Sequence, residues 1–157
     1  VGKVSHHPGG LAGERWKDPS QVEMPNSWDR SLMPCGPWLD PEGAMHGLAN
    51  GSYRLTKGSY TNRTVEDTTL FETFDGPDQS YPDGLIVEEG LNQLDLLWND
   101  QEQKPFLLVV GVIRPHLPFG CPKKYFDRYA DLVLPPVPHP QKPAGQTTWH
   151  PSGEFFK

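Results

Sequence analysis

The chain has 157 residues, enough for one domain with a modest core. Hydrophobic residues make up only 35%, and Gly 16 with Pro 18 exceed a fifth of the chain; much of it is therefore loop, and the lack of any repeat excludes collagen. A net charge of −6 with no block of like charge argues against nucleic acid or an anionic membrane as partner.

The sequence opens Val1-Gly2-Lys3 with no basic-then-apolar leader, as expected of an internal piece of a longer chain. No apolar run approaches the roughly 20 residues of a membrane span. Gly2-Lys3-Val4 reads as the end of a strand, and Pro8-Gly9-Gly10 breaks any regular element. Residues 11–62 show no sustained period. Trp16, Trp28 and Trp38 recur among Pro, Asp and Gly, the pattern of a long excursion pinned by aromatic anchors. Ser52 to Tyr60 alternates enough to suggest a small hairpin. Residues 63–82 are polar apart from Leu70, Phe71 and Phe74, and Gly76-Pro77-Asp78 signals a turn.

Tyr81-Pro82-Asp83-Gly84 opens the clearest helix, with Asp83 as a good N-cap residue. Val87, Leu91, Leu94 and Trp98 form an apolar stripe that Leu97 widens, and Gly90 in mid-helix implies a close packing contact. Phe106 to Ile113 is an uncharged Val- and Leu-rich run, which fits a strand covered on both faces. Helix, short loop and strand make half of a βαβ unit. At Arg114-Pro115-His116-Leu117-Pro118-Phe119 two prolines turn the backbone out of the sheet. A short helix with Pro122 at its start follows, with Tyr125, Phe126 and Tyr129 expected to pack inward. From Leu132 the chain is proline-rich and extended.

The chemistry centres on histidine. Of His 6 in the chain, none stands in an HxH or HExxH pattern, and no CxxC occurs, so a self-contained zinc site is not expected. No glycine-rich phosphate loop is present either. His116 lies past the carboxyl end of the strand, the edge where open α/β sheets bind ligands. It fits either a loop histidine bonded to a backbone carbonyl or a donor to an anion or a leaving oxygen. Lys3 with His6 fits a cationic anion-binding pair or a solvated surface pair, and Arg114 with Lys123 and Lys124 adds positive charge near the loop. Cys35 and Cys121 either pair or remain thiols. Asn50-Gly51-Ser52 and Asn62-Arg63-Thr64 are glycosylation sequons.

Lys104 to Tyr129, KPFLLVVGVIRPHLPFGCPKKYFDRY, resembles a segment of the type I sulfatases of the alkaline-phosphatase-like superfamily. The likeness is closest to the iduronate 2-sulfatase branch, whose GKVFHPG segment is similar to Gly2 to Gly9 here. It covers about 81–129 and 2–9. The resemblance implies an α/β fold: part of an alkaline-phosphatase-like sandwich, a mostly parallel sheet flanked by helices, with long loops. Residues 1–157 would be an internal part of one catalytic domain, with 11–80 a loop-rich insertion and 81–129 a helix-strand-loop core. It also implies sulfate-ester hydrolysis on a sulfated sugar or polysaccharide, through attack of a hydrated formylglycine on sulfur, with calcium clamping the transferring group. On that pattern Lys3 contacts the sulfate, His6 positions or deprotonates the nucleophile, and His116 binds sulfate or protonates the leaving oxygen. Arg114 and Lys123 are the expected further substrate contacts.

Two parts of the family pattern are missing. Cys35-Gly36-Pro37-Trp38-Leu39 has Cys-x-Pro, but Leu39 stands in place of the Arg, and the segment lies downstream of Lys3 and His6. The paired acidic calcium ligands are absent too. The nucleophile and calcium ligands are therefore expected outside this chain, which alone should be inactive. The family implies a periplasmic, secreted or lysosomal protein. Alternatives are a phosphodiesterase or phosphonate hydrolase of the same superfamily, and a non-catalytic carbohydrate-binding piece that uses its tryptophans.

Overall fold

A computed structural model describes residues 1–6, 24–53, 71–100, 104–138 and 140–141. The hairpin expected beyond Tyr53, much of the 11–80 insertion, Trp16, His7, His139, His150 and the sequon at Asn62 lie outside the described residues.

The described part is mixed α/β. Helix α1 is Pro41–Met45, strand β1 Phe71–Phe74, helix α2 Pro82–Trp98, strand β2 Phe119–Pro122 and helix α3 Lys123–Phe126. β1 and β2 pair in parallel, with Phe71 opposite Phe119 and Phe74 opposite Pro122. Helical turns at Gly36–Trp38, Ala49–Gly51, Asp78–Ser80 and Asp127–Tyr129 fill the connections. No helix among the described residues is long and apolar enough to cross a membrane.

Helix α2 forms where expected, but two details differ. Its N-cap is Tyr81, with Pro82 in the first turn, where its missing N–H costs nothing. Asp83 is thereby freed for another task. The helix also buries a different face. Ile86, Gly90 and Gln93 are buried, whereas Val87, Leu91, Leu94 and Trp98 are exposed, Trp98 to 77%. Gly90 explains the choice: a Cβ there would lie 3.0 Å from a Val110 methyl, so the bare backbone lets the 104–113 segment pack close. The expected close contact at Gly90 is present, and it selects the face.

Residues 104–113 do not form the regular strand expected of them: among the described residues they carry one isolated parallel bridge, Gly2 to Gly111. Val1 N donates to Val109 O at 2.8 Å, Gly111 N to Val1 O at 2.9 Å and Lys3 N to Gly111 O at 2.7 Å. These bonds pair residues 1–3 with 109–111 in parallel, centred on Gly2 and Gly111. Gly2 and Lys3 thus sit beside the apolar run, in a single bridge and not the strand end expected. Among the described residues the run is not covered on both faces: Leu107 is 78% exposed, and Val110 and Val112 are exposed too. Among the described residues, α2 packs on it and residues 1–3 hold one edge. Tyr125, Phe126 and Tyr129 are likewise exposed rather than inward. Helix α3 is only four residues long, and Phe126 rests on Phe71 with ring centroids 5.4 Å apart at the edge of the small sheet.

Trp38 anchors the 24–53 segment as expected of an aromatic pin. It is fully buried, and its Nε1 donates to Leu48 O at 2.9 Å and Ser52 O at 3.0 Å. Around it lie Ala44 and Met45 of α1, Ile86 of α2 and Ile113 at the strand end. This core joins α1, α2 and the strand exit, and so fixes what surrounds the loop at His116.

Candidate active site

The loop at 114–118 begins under the first turn of α2. Both Asp83 carboxylate oxygens accept from the strand exit: Oδ1 from Ile113 N at 2.7 Å and Oδ2 from Arg114 N at 3.1 Å. A carboxylate at a helix N-terminus is also favoured by the helix dipole. Asp83 thus caps the end of the strand, not its own helix. Asp83→Ala is expected to orphan two part-buried N–H groups, at about 1–3 kcal/mol each. Urea unfolding of the variant against the parent chain checks this.

Arg114 reaches back over the loop. Its Nη1 donates to His116 O at 3.3 Å and its Nη2 to Gly47 O. Its Nε is buried with no partner among the described residues. Burial pulls its pKa below the ordinary arginine range, and the charge of Asp83 is the first influence opposing this. The guanidinium ties the 114–118 loop to the turn after α1.

His116 is half-buried, with Nδ1 2.6 Å from Leu117 O. A carbonyl only accepts, so Nδ1 carries the proton and Nε2 is the basic nitrogen of the neutral ring. Against it stands His46, edge-on, with ring centroids 5.5 Å apart and planes at 74°. His46 obeys the same rule: its Nδ1 lies 2.9 Å from Glu42 O in α1. Both imidazoles therefore have their tautomer set by a backbone carbonyl.

Lys3 is half-buried, next to the Gly2–Gly111 bridge, and His6 is exposed a turn further on. The pairing of 1–3 with 109–111 brings Lys3 alongside the extended segment that leads to His116. Arg114 and His116 share the loop. Lys123 lies on α3, where its ammonium is bound by both carboxylate oxygens of Asp127 one helical turn on. Neighbouring Lys124 pairs with Asp78 at 2.8 Å; its hydrogen bond holds the Asp78 carboxyl below the usual range. A groove of about 620 Å³ runs between the start of α2 and β2, lined by Asp83, Arg114, Cys121 and Tyr125 among others. His116 is not among its lining residues.

Both cysteines are free thiols. Cys35 donates to Met33 O at 3.3 Å, and burial, followed by the charge of Asp40, raises its pKa to about 11. Burial raises that of Cys121 as well. A thiol held protonated is a poor nucleophile. Among the described residues no group of three or more His, Cys, Asp and Glu comes together that could hold a metal ion.

Two site-building residues escape a reading of the sequence. His46 lies in Ala44-Met45-His46-Gly47, which matches no motif, and only the packing of α1 against the strand exit reveals it. Asp83 is visible in the sequence as a helix-start residue, but its bonds to Ile113 and Arg114 span thirty positions and more.

Comparison with known proteins agrees with the resemblance at the coarse level. No family model matches the chain, and no solved structure matches it. It is 40% identical over 55 residues to an arylsulfatase of Clostridium perfringens (strain 13 / Type A), covering 35% of this chain and 11% of that protein. It is 34% identical over 67 residues to the iduronate 2-sulfatase of Mus musculus, covering 41% of this chain and 12% of the relative. The chain spans about a tenth of the length of the curated relatives it matches, and over that stretch it is similar to two sulfatases.

Proposed function

We propose that the chain is an internal part of a sulfatase that hydrolyses sulfate esters of a sulfated sugar or polysaccharide in a periplasmic, secreted or lysosomal setting. The observation that carries this is the parallel pairing of 1–3 with 109–111. This pairing supports the reading because Lys3 lies beside the segment leading into His116, in a chain similar over part of its length to two sulfatases.

Each residue then has a chemical task. The Lys3 ammonium offsets the sulfate charge. His6 orients the nucleophile or takes its proton. His116 gives a proton from Nε2 to the alcohol oxygen as the S–O bond breaks. Because Nδ1–H is committed to Leu117 O, donation from Nε2 requires the cationic ring. Arg114 and Lys123 add positive potential around an anionic substrate. The nucleophile, as formylglycine, and the calcium ligands come from outside this chain.

The test is turnover of an aryl sulfate and the matching aryl phosphate ester by the full-length protein. Sulfate is the expected preferred substrate. Turnover of phosphate esters alone moves the protein to a phosphodiesterase or phosphonate hydrolase, and turnover of neither leaves a non-catalytic carbohydrate-binding piece.

A further inference from the structure

We infer that His46 is a positioning residue for His116. The 41–47 segment would then be a built wall of the active site and not part of a loose excursion. The inference deepens the sulfatase proposal and holds only if the protein hydrolyses sulfate esters.

Three features carry it. First, α1 is anchored. The Asp40 carboxylate accepts from Gly43 N at 2.7 Å, and Ala44 and Met45 are buried in the core that also holds Ile113. Second, His46 leaves that anchored helix with its ring already oriented. Its Nδ1–H points to Glu42 O at 2.9 Å, and its ring meets His116 edge-on at 5.5 Å. An aromatic pair at that separation and tilt is an attractive arrangement that restricts both rings. Third, the next residue clasps the start of the same loop: Gly47 O accepts from the Arg114 guanidinium, which also donates to His116 O. The 114–118 loop is thus held to α1 at a side chain and at the backbone. At its start the loop is held by Asp83 of α2, and His116 N donates back to Ile113 O at 3.0 Å. A proton donor works only if its nitrogen is held at the leaving oxygen, and a displacement of about 1 Å can cost about 100-fold in rate. The 46–47 contact is the feature placed to prevent that displacement.

The experiment is a double-mutant cycle in the full-length protein on a sulfate ester, with kcat and KM measured for wild type, His46→Ala, His116→Ala and the double variant. His46→Ala is expected to lower kcat about 10- to 100-fold with KM unchanged. The same substitution is expected to have no further effect once His116 is alanine, because its action passes through that ring. His46→Phe, which keeps an aromatic ring in the contact, should retain turnover within about threefold of wild type. Equal loss in both backgrounds marks a general structural role and overturns the inference, as does unchanged kcat in His46→Ala. A Phe variant as impaired as the Ala variant overturns the ring contact as its basis. A wild-type protein that turns over no sulfate ester removes the sulfatase proposal itself, a result separate from any pattern among the variants.

Discussion

His116→Ala in the full-length protein is expected to lower turnover of a sulfated sugar by about 10²- to 10⁴-fold, the usual contribution of one positioned acid or base. That loss is equivalent to about 3–5 kcal/mol of transition-state stabilisation. The reason is the geometry of the ring. Leu117 O holds Nδ1–H, so only Nε2 can serve a substrate, and alanine leaves no substitute donor there. The effect should depend on the leaving group. A sugar alcohol is a poor leaving group and needs its oxygen protonated as the S–O bond breaks. A nitrophenolate leaves unaided, so an activated aryl sulfate should lose much less. Measuring kcat for both esters separates this role from simple sulfate binding, which would make the two losses equal. Global stability should hardly change, since His116 is half-buried in a loop and outside the Trp38 core.

Trp38→Ala is expected to be the most destabilising single change, at about 3–5 kcal/mol for a fully buried tryptophan. The side chain is entirely shielded and packs with Ala44, Met45, Ile86 and Ile113, so its removal opens a cavity where α1, α2 and the strand exit meet. Its Nε1–H also serves Leu48 O and Ser52 O together. Trp38→Phe keeps most of the apolar volume and removes only that donor, and should cost about 1–3 kcal/mol. The shift in urea midpoint at constant slope measures both. A loss below about 1 kcal/mol for the alanine variant would show that the 24–53 segment is held by something other than this anchor.

Helix α2 and the turns around it are legible in the sequence, because they rest on local signals. The prolines at 82, 115 and 118, the polar end at Asn99 and the uncharged run at 106–113 all act over a few residues. What is not legible depends on partners far along the chain. The periodicity of helix α2 offers the Val87–Leu91–Leu94–Trp98 stripe, yet the face it buries is Ile86–Gly90–Gln93. The hydrophobic amplitude favours the first. The close approach of Val110 to Gly90 decides for the second, because a bare backbone admits the strand where leucines would hold it off. The two-sided cover expected for 106–113 rests on hydrophobicity alone, which gives affinity for a partner and not its presence among the described residues. β1 lies in a polar stretch with only Phe71 and Phe74 as signals, and its pairing with β2 is entirely non-local.

The candidate site divides in the same way. His116 stands out because prolines flank it at the end of an apolar run, a local pattern with a physical reason. Lys3 stands out only once its backbone is seen bonded to Gly111, and His6 has no local mark of its own. His46 has no local mark at all. A histidine after a four-residue spacing from Glu42 is indistinguishable from a surface helix end until the 114–118 loop is seen against it.

The most direct measurement is a crystal structure of the full-length protein with sulfate bound. Lys3 Nζ, His6 and His116 Nε2 should all lie within hydrogen-bond distance of one bound sulfate or of the nucleophile beside it, with His46 still edge-on to His116. Sulfate bound elsewhere, or Lys3 and His116 directed to different surfaces, would contradict the account.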